Sequence, residues 1–180
     1  RAIREEFAKL EPIIGDNIVG WEGATVEQQI HHILTERGLK LAVAESCTGG
    51  TIASKFTAMA GASAYFMAGA VTYSNEAKHD LLGVSWESLN QYGAVSEQVA
   101  REMAEGVRRV AGADYAIATT GIAGPTGGSA EKPVGTVWMA VATPKGTTAV
   151  MRNSGTDRGQ IISRASAYAM ELLLNELKRQ

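Results

Sequence analysis

Cysteine is nearly missing from this sequence: among 180 residues there is one, Cys47. A single thiol excludes an intramolecular disulfide, and with it the small disulfide-stapled secreted scaffold. Cysteine pairs and an H-E-x-x-H stretch are lacking too, so the sequence offers no dedicated metal site. No apolar run reaches the roughly 20 residues that a membrane-spanning helix needs. Neither sign of charge dominates, the formal net charge being −2. A protein that reads a nucleic acid duplex normally shows a basic patch or a high pI, so neither nucleic acid nor membrane is an expected partner. The charged N-terminus, RAIREEFAKL, has no apolar stretch behind it. No signal peptide is read, and a cytoplasmic location is the expectation. The first residue is Arg1 and not Met, so a fragment of a longer protein is expected.

What is present is ordinary in kind and specific in arrangement. With 45% hydrophobic and 20% charged residues, the composition supports a packed core, and the length suits one domain with a small appendage. IREEFAKLEPIIG reads as a short helix ended by Pro12 and Gly15, and DNIVGW as a short strand. In GATVEQQIHHILTERG, Thr25 and Gln28 form a capping-box pattern, Val26, Ile30, Ile33 and Leu34 recur at helical spacing, and Gly38 stops the helix. Residues 1–22 are therefore assigned to a tail or linker, and residues 23–180 to the domain. From there strands and helices alternate. LKLAVAES, SAYFMAGAVTYS, DYAIATTG, TVWMAVATP and TTAVMRNSG read as strands. GTIASKFTAM, NEAKHDLLG, SEQVAREMAEGVRRVAG and DRGQIISRASAYAMELLLNELKRQ read as helices, with Ser96 and Asp157 as caps and Gly112 as a stop. This alternation predicts a three-layer α/β/α sandwich. The tight connection at Lys145 and Gly146 requires an antiparallel pair, so the expected sheet is mixed and mostly parallel.

Three strands end in polar clusters: Ser46-Cys47-Thr48-Gly49-Gly50, Thr72-Tyr73-Ser74-Asn75 and Thr119-Thr120-Gly121. In an α/β sheet, ligands bind outside the carboxyl ends of the strands. If the three strands are parallel, the clusters meet at one edge. Each alone is compatible with a simple helix cap; three in register argue for a site. Ser46 stands where a buried strand turns into a helix. Free N–H groups at that helix N-terminus suit an anion or an oxyanion, and Gly49 and Gly50 permit close approach. The pattern is neither G-x-S-x-G nor a phosphate-binding P-loop.

A serine nucleophile needs a base. His31, His32 and His79 read as surface or partly buried residues. Lys78 is the better candidate: with Asn75 as N-cap it is the third residue of its helix, and a helix N-terminus disfavours a cation by about 0.3–1 kcal/mol. To act near neutrality its pKa has to fall from about 10.4 to about 7–8, near 4 kcal/mol, so desolvation has to supply most of the change. The alternative is that Lys78 is a solvated surface residue. Tyr73 is a candidate to pass a proton between Ser46 and Lys78. Cys47 competes as nucleophile, but strand alternation turns 46 and 47 to opposite faces, and a buried apolar Cys47 is preferred. TTGIAGPTGGSAEKPVG holds five glycines and two prolines, and reads as a flexible connection or as a backbone cradle over a ligand. Arg158 and Arg164 are forks for phosphate or carboxylate, or are simply solvated.

LAVAESCTGG, AVTYSNEAKHDLLGV, ATTGIAGPTGG, EKPVGTVWMAVA and TDRGQIISRASAYAMELL, in that order, resemble the C-terminal domain of the CinA (competence/damage-inducible) family. The resemblance implies an amidohydrolase that converts nicotinamide mononucleotide to nicotinate mononucleotide and ammonia, in pyridine nucleotide salvage. It implies Ser46 as nucleophile, assisted by Tyr73 and Lys78, and a nucleotide site shaped by Thr120, Gly121 and Arg158. Backbone N–H groups near Thr48, Gly49 and Gly50, or near Thr120 and Gly121, are the expected oxyanion donors. It implies no metal or other cofactor, and a homodimer or larger assembly. FAKLEPIIGDNIVG looks like the tail of the region that precedes this domain in two-domain members. There the preceding domain is of the molybdopterin-binding-like type, associated with ADP-ribose pyrophosphatase activity. One departure is Thr156, where the family more often has Gly. The competing expectation is a catalytically silent nucleotide-binding or regulatory module using the same pocket.

Overall fold

A regular alternation of large residues with alanine organises the sheet. The computed structural model describes residues 24–179; the helix and strand read within residues 1–22 lie outside them. In β1 (Leu41–Glu45), β3 (Tyr115–Gly121) and β4 (Thr136–Thr143), bulky side chains occupy one face and, Trp138 apart, alanines and other small residues the other. Leu41, Val43, Tyr115, Ile117, Val137, Met139 and Val141 pack beneath α1 (Val26–Arg37), α2 (Thr51–Thr57) and α6 (Arg158–Lys178). Ala42, Ala44, Ala116, Ala118, Ala140 and Ala142 form the opposite face. Three helices cover it: α3 (Asn75–Leu82), α4 (Trp86–Tyr92) and α5 (Glu97–Ala111). This is the expected three-layer α/β/α arrangement. The alanine face lets α5 settle close on the sheet through Val99, Met103 and Val107, with the partly buried Trp138 packed against the same cluster.

The other two strands are β2 (Phe66–Val71) and β5 (Gly146–Asn153), and the order across the sheet is β2-β1-β3-β4-β5. β1 runs parallel to both β2 and β3, whereas β3–β4 and β4–β5 are antiparallel. The expectation of a mostly parallel sheet is thereby corrected to an even division. The cause lies in the connections. A parallel return needs a crossover of a dozen or more residues, usually helical. Residues 122–135 contain no helix and bring the chain straight back beside β3, while Pro144 and Lys145 make a two-residue hairpin.

The parallel half aligns three carboxyl ends. Glu45 pairs with Val71 on one side and with Thr119 on the other. The polar clusters that follow β1 and β2 and that end β3 therefore share one edge, as the sequence predicts. Among the described residues no helix is long and apolar enough to cross a membrane.

Candidate active site

The turn after β1 is fastened by the residue before it. Glu45 is buried, and its carboxylate accepts hydrogen bonds from the amides of Gly50 (3.0 Å), Ile52 (3.2 Å) and Ala53 (2.8 Å). These are orphan donors at the N-terminus of α2. The expectation that this helix end is open to an anionic ligand is corrected, since the protein's own carboxylate fills it. Gly49 N–H donates to Ser46 O (3.1 Å) and Thr51 N–H to Thr48 O (3.1 Å). The Cys47 and Thr48 amides have no backbone acceptor among the described residues. Gly49 and Gly50 have φ of 60° and 97°, the left-handed region that glycine enters without a Cβ penalty.

Ser46 projects to the alanine face, toward α3. Lys78 Nζ lies 3.1 Å from Ser46 Oγ, and its N–H groups donate to the carbonyls of Thr72 (2.7 Å) and Tyr73 (3.3 Å). Lys78 is only 1% exposed, so the reading of a solvated surface lysine fails. Burial, which penalises the ammonium, pushes its pKa below the usual lysine value. One detail is corrected: the N-cap of α3 is Ser74, whose side chain accepts from Ala77 N–H, so Lys78 is the fourth helical residue and not the third.

The other predicted site residues divide into those whose side chains face this pair and those turned elsewhere. Tyr73 is 61% exposed and stands outside the direct Ser46–Lys78 contact. Its phenol oxygen accepts from Arg158 Nη2 at 3.2 Å, while Arg158 Nη1 donates to Gly124 O at 2.7 Å. Tyr73, Arg158 and the glycine-rich loop thus form one exposed rim. The Thr48 hydroxyl is buried against Thr119 Oγ1 (2.7 Å). The Thr120 hydroxyl donates to Ala94 O (2.7 Å), so each of these hydroxyls already has a partner within the protein. Gly121 is different. The bond from Ile122 N–H to Thr136 O (2.9 Å) closes the β3–β4 ladder beyond it. Donor alternation along an antiparallel strand then turns the Gly121 N–H away from β4, toward the space past the end of β1. A Cβ on Gly121 would stand 2.8 Å from Thr136 O, so only glycine fits.

Cys47 faces the other layer, in the cluster with α1, α2 and α6. Burial pushes its thiol up to about 12, far from the thiolate that acts as nucleophile. The histidines are engaged elsewhere: His31 with the Tyr65 hydroxyl, His32 with Glu36 and His79 with Val84 O. Among the described residues no three of His, Cys, Asp and Glu cluster as a metal-binding set. Glu45 and Thr72 went unassigned in the sequence. Glu45 acts across a turn, which only the folded chain reveals; Thr72 was visible as part of a strand-end cluster.

The family model of the CinA C-terminal domain matches residues 23–177. A CinA-like protein of Shewanella sediminis is 48% identical over 171 residues, covering 94% of this chain and 40% of that protein. The chain thus spans about two fifths of the length of such relatives. Among solved structures, the competence/damage-inducible protein CihA of Agrobacterium tumefaciens is 43% identical with a TM-score of 0.80, covering 87% of this chain and 99% of that one. A CinA-superfamily protein of Klebsiella pneumoniae is 37% identical with a TM-score of 0.83, covering 86% and 97% respectively.

Proposed function

The chain belongs to the CinA C-terminal domain family, and on that premise we propose that it is a serine amidohydrolase that deamidates nicotinamide mononucleotide to nicotinate mononucleotide and ammonia. One observation carries the chemistry: a buried lysine amine stands 3.1 Å from a serine hydroxyl at a strand end. With Lys78 neutral, the carbonyls of Thr72 and Tyr73 take its two N–H groups, and the remaining lone pair faces the Ser46 hydroxyl. Serine then donates to the amine, which is the geometry of a nucleophile and its general base.

Ser46 Oγ attacks the carboxamide carbon as its proton passes to Lys78 Nζ. Lys78 returns that proton to the departing nitrogen, and ammonia leaves. Water then opens the seryl ester, restoring Ser46. The Cys47, Thr48 and Gly121 amides are the donors available to the oxyanion, and aligned amides of this kind contribute about 2.7–4 kcal/mol each to such a transition state. Arg158 and Tyr73 form the rim that receives the nucleotide, Arg158 having N–H groups left for a phosphate beyond the two it directs at Gly124 and Tyr73.

The test is ammonia release from nicotinamide mononucleotide by the purified chain, beside a panel of other carboxamides. Ser46→Ala should lower turnover by at least about a thousandfold with an unchanged thermal midpoint. A Ser46→Ala variant of undiminished activity removes the mechanism. Tight nucleotide binding without ammonia would assign a silent binding module instead.

A further inference from the structure

Among the described residues two buried hydroxyls have no hydrogen-bond partner, Thr72 Oγ1 and Ser154 Oγ. Leaving a buried hydroxyl unsatisfied costs about 1–3 kcal/mol, so each such group calls for a reason. Ser154 follows β5, at the far edge of the sheet. Thr72 follows β2, and its place is specific. Its N–H donates to Glu45 O at 2.8 Å, extending by one residue the ladder in which Glu45 pairs with Val71. Thr72 is thus in register with Ser46, and neighbours in register project to the same face. That face carries α3, and the Thr72 carbonyl itself receives Lys78 Nζ. On the other flank of Ser46, Thr120 is in the equivalent register and its hydroxyl is satisfied by Ala94. The Thr72 hydroxyl stands beside nucleophile and base and bonds to neither.

The two halves of the proposed reaction make different demands here. In acylation the base acts on Ser46, which is covalently held and already in contact. In deacylation the base acts on water, which has to be held by hydrogen bonds to two or more protein groups. Thr72 is fully buried in the free protein, so no nucleotide group reaches its hydroxyl, and a water comes to it only once the acylated Ser46 oxygen withdraws from Lys78 Nζ. We propose that Thr72 is the positioning residue for the deacylating water, which its hydroxyl and the Lys78 amine hold between them. The water oxygen bonds to the acyl carbon and one water proton passes to Lys78 Nζ. That proton goes on to Ser46 Oγ as the ester C–O bond breaks, and the acid formed loses its own proton to solvent. This inference rests on the amidohydrolase reading above.

Thr72→Val keeps the side-chain shape and deletes the hydroxyl. With nicotinamide mononucleotide as the probe, rapid-quench measurement should show one equivalent of ammonia released at the wild-type rate. The steady state should then be slowed at least about tenfold, with an acyl adduct on Ser46 in the intact mass. Thr72→Ser should restore the steady rate. Hydroxylamine, a stronger nucleophile than water, should discharge the adduct in both wild type and Thr72→Val. The thermal midpoint of Thr72→Val should be no lower than that of the wild type, because an orphaned hydroxyl is lost. A wild-type steady rate in Thr72→Val overturns the proposal, and so does an ammonia burst slowed as much as the steady state. Wild-type protein that releases no ammonia from any carboxamide strikes the underlying amidohydrolase reading, and that is read before any variant.

Discussion

Lys78 accommodates both of its protonation states without moving. As an ammonium it has three donors and three acceptors within reach, Ser46 Oγ and the carbonyls of Thr72 and Tyr73. As an amine it keeps both carbonyls and turns its lone pair to the serine. A group that takes and returns a proton in each half-reaction needs that indifference. The two carbonyls favour the cation, and burial, the largest influence on the group, disfavours it. The sign for activity follows. Lysine is a base only when neutral, so kcat/KM should rise with pH through the Lys78 pKa, and burial moves that limb below the ordinary lysine range. For stability, the unfolded chain binds the proton more tightly than the native one, so unfolding free energy should rise with pH between the lowered and the ordinary value. Lys78→Arg installs a permanent cation. It should lower kcat/KM by roughly 10²–10⁴ and abolish the rising limb, read from pH profiles of the two proteins. An active Lys78→Arg enzyme with the wild-type profile would show that some other group is the base.

At the scale of elements, α3 brings Lys78 to Ser46 because α5 lets it approach. Gly106 in α5 faces the end of α3, where a Cβ would stand 2.1 Å from Leu82 O, and Arg109 Nη2 donates to that same carbonyl at 3.0 Å. Gly106→Ala meets backbone and not a yielding side-chain tip, so α3 has to shift. The expected cost is about 1–3 kcal/mol, with kcat falling more than KM rises, measured by denaturant midpoint and steady-state kinetics. A Gly106→Ala protein of unchanged stability would mean that α3 yields freely. Much of this framework was legible in the sequence where the determining chemistry is local. The Thr25–Gln28 capping box, the Ser96 and Asp157 caps and the Gly38 and Gly112 stops all stand as read. The cap of α3 was misplaced by one because Ser74 and Asn75 are adjacent cap formers. The seven-residue α4 went unread, lying between two helices with stronger periodicity. Long-range features were not legible: the antiparallel return of β4 depends on how residues 122–135 fold, and the three-amide bond set of Glu45 depends on α2 lying over β1.

At the scale of the molecule, the proposed site joins the two helical layers across one edge of the sheet. Ser46 comes from the end of β1 and Lys78 from α3 on the alanine face. Arg158 opens α6 on the opposite face, and Tyr73 reaches it from the segment between β2 and α3. Among the described residues, the two apolar clusters draw on α1 and the elements that follow it, and α1 is closed from within, since Thr25 and Gln28 cap each other's backbone. A chain trimmed to residues 24–180 should therefore fold alone, with a thermal midpoint within about 2–4 °C of the full chain and kcat/KM for nicotinamide mononucleotide within about twofold. The two readouts separate the layers' stability from their alignment. A lowered midpoint with unchanged kcat/KM would mean that the removed residues add packing area remote from the edge. An unchanged midpoint with lost activity would mean that they complete the rim around Tyr73 and Arg158, where the two faces meet and where a small displacement of α6 relative to β2 separates the phenol from the guanidinium.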